Sequence, residues 1–223
     1  MPRGPLPKLD SGLTLLRLPL ARSTGLHRLV INEMHERDGV VFWIDARNEA
    51  VPFVLYELAP YRRFLDPVRV ARAFTAYQHH TLARQLVEQT TERTAMIVAP
   101  NVGSLYEDDD VPEHERWGLF EAALNILEEL GSVYEIPVIV TNEAATAETT
   151  QKVIMAASHE VDVERTRMGL HYSGDVDETK IYVKDGFWQT TIPYWVDLFG
   201  RVQAVDRPTA QSTIAPGTLE AFR

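Results

Sequence analysis

The chain of 223 residues contains no cysteine. Neither a disulfide framework nor a thiolate zinc site can be built from it. Lysine is almost as scarce: Lys8, Lys152, Lys180 and Lys184 are the whole supply, and none of them follows a glycine. The missing Gly-Lys dipeptide excludes the usual phosphate loop, whose lysine reaches the outer phosphates of a nucleotide. No apolar run approaches the length of a membrane span, and MPRGPLPKLD lacks the apolar centre of a signal peptide. These absences predict a cytoplasmic protein without a membrane partner. Thirty-two acidic residues stand against twenty-two basic ones, a net charge of −10. The field of such a molecule repels polyanions, so DNA binding by the chain alone is expected to be weak. Excess carboxylate with little lysine suits high internal salt; high-GC codon usage produces the same bias.

What is present is an ordinary globular composition, 45% hydrophobic, with strand-length apolar runs alternating with helical patterns. VVFWIDAR (40–47), VRVARAF (68–74), TAMIVAPN (94–101) and IPVIVTNEA (136–144) are nearly continuous and β-rich, which predicts strands covered on both faces. Leu26, Leu29, Val30 and Met34 form one helical stripe ended by Gly39; Trp117, Phe120, Leu124 and Leu127 form another. The alternation predicts a three-layer α/β core with a mostly parallel central sheet. Beyond residue 145, ATAETTQKVIMAASHEVDVERTR is polar and weakly patterned. RMGLHYSGDVDETKIYVKDGFWQTTIP then predicts short strands separated by the turns SGD and KDG. WVDLFGRVQAVDR reads as a return to the sheet, with an edge strand and a loose tail after it. The expected organisation is one domain over 1–223, with an N-terminal tail (1–12), a divergent loop and hairpin insertion (145–194) and a C-terminal tail (208–223).

VARAFTAYQHHTLARQLVE, with IVAPNVGSLYEDDDVPEHERWGLFEAALNILEELGSVYEIPVIVTNEA, resembles the RadA/RecA recombinase family, in its archaeal and eukaryotic branch. The likeness runs over about residues 40 to 145. It implies a RecA-like core with a divergent C-terminal β-hairpin region. Carried over residue by residue, the family's GKT falls on Gly25, Leu26 and His27, in a strand–turn–helix stretch laid out like a phosphate loop. Its catalytic glutamate, two residues after Asp45, falls on Arg47. Its magnesium-organising aspartate falls on Pro100, and its sensor glutamine on Glu143.

Each replacement removes chemistry. Leucine supplies no cation and no hydrogen bond to phosphate. Neither His27 nor Pro100 offers magnesium the oxygen it requires. Arginine has donors only and stays protonated, so Arg47 cannot activate water. The resemblance therefore implies a vestigial nucleotide pocket, no cofactor, no bound metal and no ATPase activity. The first DNA loop of the family falls on YEDDDVPEHER, whose acids oppose a phosphate backbone. Only Lys152, Arg165 and Arg167 offer DNA contact in the region of the second.

Other motifs carry less. Asp108, Asp109 and Asp110 read as a solvated loop before they read as a metal site. His79 and His80 point in different directions on a helix and mark a polar helix start. EHERW lacks the second histidine of a zinc-protease helix. Asp45, at a strand end, serves a structural hydrogen bond or an unrelated hydrolase. Trp188 and Trp195 are candidate partner anchors. The expected function is that of a non-catalytic recombinase paralogue, an interaction or regulatory subunit in homologous recombination and DNA repair. Its expected partner is a recombinase, another RecA-like subunit or a second copy of itself. An ATP-independent single-stranded DNA-binding accessory and an unrelated enzyme using the cleft near Asp45 are the alternatives.

Overall fold

The computed structural model describes residues 6–19, 23–108, 111–143, 146–167 and 169–174, and the backbone alone of 179–184 and 187–190. All belong to one unit, Met1–Thr191. The apolar runs form parallel strands: β1 (Gly12–Arg17), β2 (Val40–Ala46), β3 (Val68–Ala73), β4 (Thr94–Ala99), β5 (Pro137–Val140) and β6 (His159–Thr166). They lie in the order β3-β2-β4-β5-β1-β6, and β7 (Gly169–Gly174), β8 (Thr179–Lys184) and β9 (Phe187–Thr190) extend the sheet antiparallel. The register sets Leu13 opposite Val138 and Trp43 opposite Val98. The result is a mixed α/β fold on a mostly parallel sheet.

Two apolar clusters explain why the central strands are continuous in hydrophobicity. Ile97 and Ala99 of β4 enter one cluster, while Met96 and Val98 enter the other. Alternate side chains thus meet different helices, so both strand faces must be apolar. The first cluster takes α3 (Ala76–Gln89), α4 (Glu113–Val133) and α5 (Ala147–Ala156); the second takes α1 (Gly25–Glu36) and α2 (Pro52–Leu58). Close approach of α4 to the sheet requires Gly131, where a Cβ would come within 3.1 Å of the Gly12 Cα.

Four expectations need revision. VRVARAF is not covered on both faces: β3 is the edge strand, with Arg69, Val70 and Arg72 exposed. The stretch after 145 contains α5 and then β6, which pairs directly with β1. Its signal is weak because α5 buries only Thr149 and Val153, while β6 buries Val161 and Val163 between charged neighbours. The segment assigned to an N-terminal tail is anchored at its end. Leu9 is fully buried, and its N–H donates to Glu33 Oε1 at 3.1 Å while Arg37 Nη2 donates to its carbonyl at 2.8 Å. His79, finally, does not decorate a polar helix start. It is buried against Tyr106, with Nδ1 2.9 Å from the phenolic oxygen. WVDLFGRVQAVDR and the C-terminal tail lie outside the described residues.

Glu33 and Arg37 form a partly buried pair, 3.2 Å apart, that clasps the Leu9 backbone. Glu33→Ala should lower unfolding free energy by about 2–4 kcal/mol, because it orphans a buried N–H and a partly shielded guanidinium; urea titration measures it. Burial holds His79 down to about 4, so the unfolded chain binds its proton more tightly. The stability this confers is complete above the unfolded value of 6.5 and is lost as pH falls toward 4, in total up to about 3 kcal/mol. His79→Gln should flatten the stability–pH curve across that window.

Candidate functional site

Parallel strands deliver the segments after β1, β2, β4 and β5 to one sheet edge, so the residues assigned to the nucleotide pocket are neighbours. The helix end that would face phosphates is turned inward. The Gly25 N–H donates to Ser23 Oγ at 3.2 Å, and the Tyr172 hydroxyl donates to the Gly25 carbonyl at 3.0 Å. Leu18 Cδ2 lies 3.0 Å from where a Gly25 Cβ would sit, so an apolar side chain packs closely on the residue opening α1. Leu26 is 2% exposed and joins the core with Leu29. His27 is equally buried, its ring 5.4 Å from that of Trp43, and its Nε2 accepts the Val51 N–H at 3.2 Å. Burial lowers its pKa and favours the neutral imidazole. The position that would hold a magnesium ligand thus ties α1 to the loop after β2.

At the end of β2, Asp45 is buried with both oxygens engaged. Oδ1 accepts the N–H groups of Glu49 (2.8 Å) and Ala50 (3.1 Å), and Oδ2 accepts Arg72 Nε of β3 at 3.1 Å. Arg72 also donates to the Ala50 carbonyl. Of the two roles open to Asp45, these bonds supply the structural one. Arg47 follows in the left-handed region, φ 63°. Its guanidinium donates to the Ser104 carbonyl at 3.0 Å and to Asp108 Oδ1 at 2.7 Å. Arg47, at the position that the resemblance assigns to a catalytic glutamate, therefore holds the acidic loop after β4.

Pro100 is buried at the end of β4, but the residue after it organises the site. Asn101, at φ 51°, donates from its backbone to Thr141 Oγ1 and from Nδ2 to Glu49 Oε1, while its Oδ1 accepts the Glu143 N–H. One amide joins the ends of β2, β4 and β5. Glu107 is a second connector: it accepts the Thr146 N–H at 2.6 Å and the Thr149 hydroxyl, at the start of α5. A carboxylate there also suits the positive end of the helix dipole. Sequence reading passed over Glu49, Asn101 and Glu107, because polar residues after a strand look like any loop. The one available signal was an asparagine directly after a buried strand, a type that tolerates left-handed backbone.

Within this network, His27 Nδ1 and the Glu143 carboxyl are left without hydrogen-bond partners. Both oxygens of that carboxyl are shielded from solvent. Burial, and secondarily the charge of Glu49, push it up to about 7.

The remaining candidates scatter. Lys152 pairs with Glu121 at 2.5 Å and lies over the Trp117 ring, so its charge is already engaged. Arg165 and Arg167 are exposed near the β6–β7 turn. Asp108 serves Arg47, and Asp109 and Asp110 lie outside the described residues. Among the described residues, no group of three or more acidic or histidine side chains is arranged to hold a metal, and no helix is long and apolar enough to cross a membrane. Trp188 belongs to β9, with only its backbone described; Trp195 lies outside the described residues.

The sequence matches no known protein family and none of the curated proteins compared with it. Asp45→Asn would set an amide donor against either two N–H groups or a guanidinium. It should cost about 2–4 kcal/mol in a denaturant titration, with Arg72→Ala costing less because that side chain is 44% exposed.

Proposed function

We propose that this chain is a RecA/RadA-like paralogue whose three-layer core has lost ATP chemistry and serves as an interaction subunit in homologous recombination. Support from the pocket is that its altered positions have been taken into the structure rather than left idle. Leu26 and His27 are core residues, and Arg47 braces the acidic loop. Filling the helix end with Leu18 and bridging the strand ends through Asn101 leave phosphate without its cradle, its lysine or its metal oxygen.

The observation that carries the interaction role is the margin formed by β3 and α2. A strand edge offers unpaired backbone groups to another chain. Around this one, Phe53 (68% exposed), Tyr56, Tyr61, Val70 and Phe74 (67%) face solvent. A hollow of about 350 Å³ opens beside two of them, Tyr56 and Val70, and is walled further by Leu55, Leu65 and Val68. Large rings exposed together, beside an apolar hollow, are what a partner interface requires. Arg69 and Arg72 on the strand limit indiscriminate edge-to-edge association.

Calorimetry with Mg-ATP should give no binding heat. Sedimentation of the chain with the recombinase of its own source should give a complex that Val70→Asp and Phe74→Ser each weaken at least about tenfold while changing stability by under about 0.5 kcal/mol. Tight Mg-ATP binding, or a complex indifferent to both substitutions, would overturn the reading. The exposed Arg165 and Arg167 favour a second one, an ATP-independent single-stranded DNA accessory. Oligonucleotide binding that falls with salt and disappears in Arg165→Glu would select it.

A further inference from the structure

The carboxyl ends of β1 and β5 enclose a hollow of about 360 Å³, the size of a small-molecule site, lined by Leu16, Arg17, Leu18, Asn142, Glu143 and Thr150. Its polar residues are unequally provided for. Asn142 accepts the Gly103 N–H and donates to Thr150 Oγ1. Arg17 lines the same hollow but is spent on β6, 2.5 Å from Glu160 and 3.5 Å from Asp162. Only Glu143 has two shielded acceptor oxygens and no donor for either. A buried carboxylate in that state is costly and calls for a cationic donor or a proton.

We propose that this hollow is a binding site for an organic cation, an alkylammonium or guanidinium group, with the Glu143 carboxyl turning out of its shielded position to serve as counter-ion and with Leu18 and Pro19 as the wall for the aliphatic stem. The chemistry is shared by two sources, a free amine such as a polyamine and a lysine or arginine side chain of a partner. A lone carboxylate beside a hollow bordered by Leu18 and Pro19 matches one charged head on a methylene chain. Asn142 and Thr150 are already bonded to each other, so they add shape rather than a second charge.

Charged groups around Glu143 set the pH behaviour. Glu49, from the loop after β2, opposes its ionisation. Arg17, from β1, is neutralised by Glu160 and Asp162; Glu107 caps α5; the facing groups of α5 and of the β4 end, Thr150 and Asn101, are uncharged. The proton held by Glu143 near pH 7 must leave when the cation enters. Binding therefore releases a proton to solvent and tightens as pH rises.

The site depends on neither the recombinase resemblance nor the β3 margin. Isothermal titration of the full chain with agmatine, spermidine and a capped arginine dipeptide, at pH 6 and pH 8 in constant potassium chloride, tests it. The expected result is one site per chain, about tenfold tighter at pH 8 than at pH 6. Glu143→Gln should weaken it at least about tenfold and abolish the pH dependence, while Glu164→Gln on the exposed face of β6 should leave it unchanged. Binding of agmatine or spermidine assigns the site to free amines, and binding of the dipeptide alone assigns it to a partner side chain; both support the proposal. No binding at pH 8, affinity independent of pH, affinity unaltered by Glu143→Gln, or full displacement by equimolar potassium overturns it. Because wild-type pH dependence is itself a readout, a poorly folded variant does not protect the idea.

Discussion

The Asp45 carboxylate is the join on which both halves of the molecule's behaviour depend. It accepts two backbone N–H groups from the loop that leads to α2 and one guanidinium from β3. With those bonds made, the loop closes tightly enough for the Val51 N–H to reach His27 and for Glu49 to reach Asn101. The same bonds fix Ala50 and Arg72, which wall the hollow beside the edge strand. A residue that in a hydrolase would face substrate thus sets the shape of the pocket on one side and of the exposed margin on the other. Charge-assisted bonds of this kind are worth roughly 1.5–3 kcal/mol each.

Much of the scaffold was legible from hydrophobic period. The runs in β2, β4 and β5 are continuous because each strand serves two clusters, and Leu26, Leu29, Val30 and Met34 fall on one buried face of α1 as their spacing implies. Legibility failed where few apolar residues carry an element. In β6, two valines alternate with Glu160, Asp162 and Glu164, so the strand resembles solvated loop until Arg17 is seen to pair with two of the acids. β3 misled in the opposite direction: valines and alanines imitate a covered strand, yet nothing among the described residues pairs with its outer edge. The candidate site divided in the same way. Which residues meet at the sheet edge followed from strand ends, whereas the bonds of Asn101, Glu107 and His27 depend on loop geometry that no periodicity encodes.

The acidic composition also takes on a definite meaning in three dimensions. Glu33, Asp45, Glu107 and Asp108 point at N–H groups and guanidinium ions rather than at water. These acids work as internal connectors, and the loop carrying Glu107 and Asp108 is tied to α5 on one side and to Arg47 on the other. Glu143 alone, among the acids bonded into this edge, lacks such a donor.

Because Asp45 pins the edge strand and the start of α2 to the same anchor, the margin proposed for docking is preorganised. A segment arriving there surrenders its own freedom but asks for little rearrangement of the surface it meets. Association would then proceed close to rigid-body docking, its speed set by orientation, while residence time would be governed by how well the arriving residue fills the hollow.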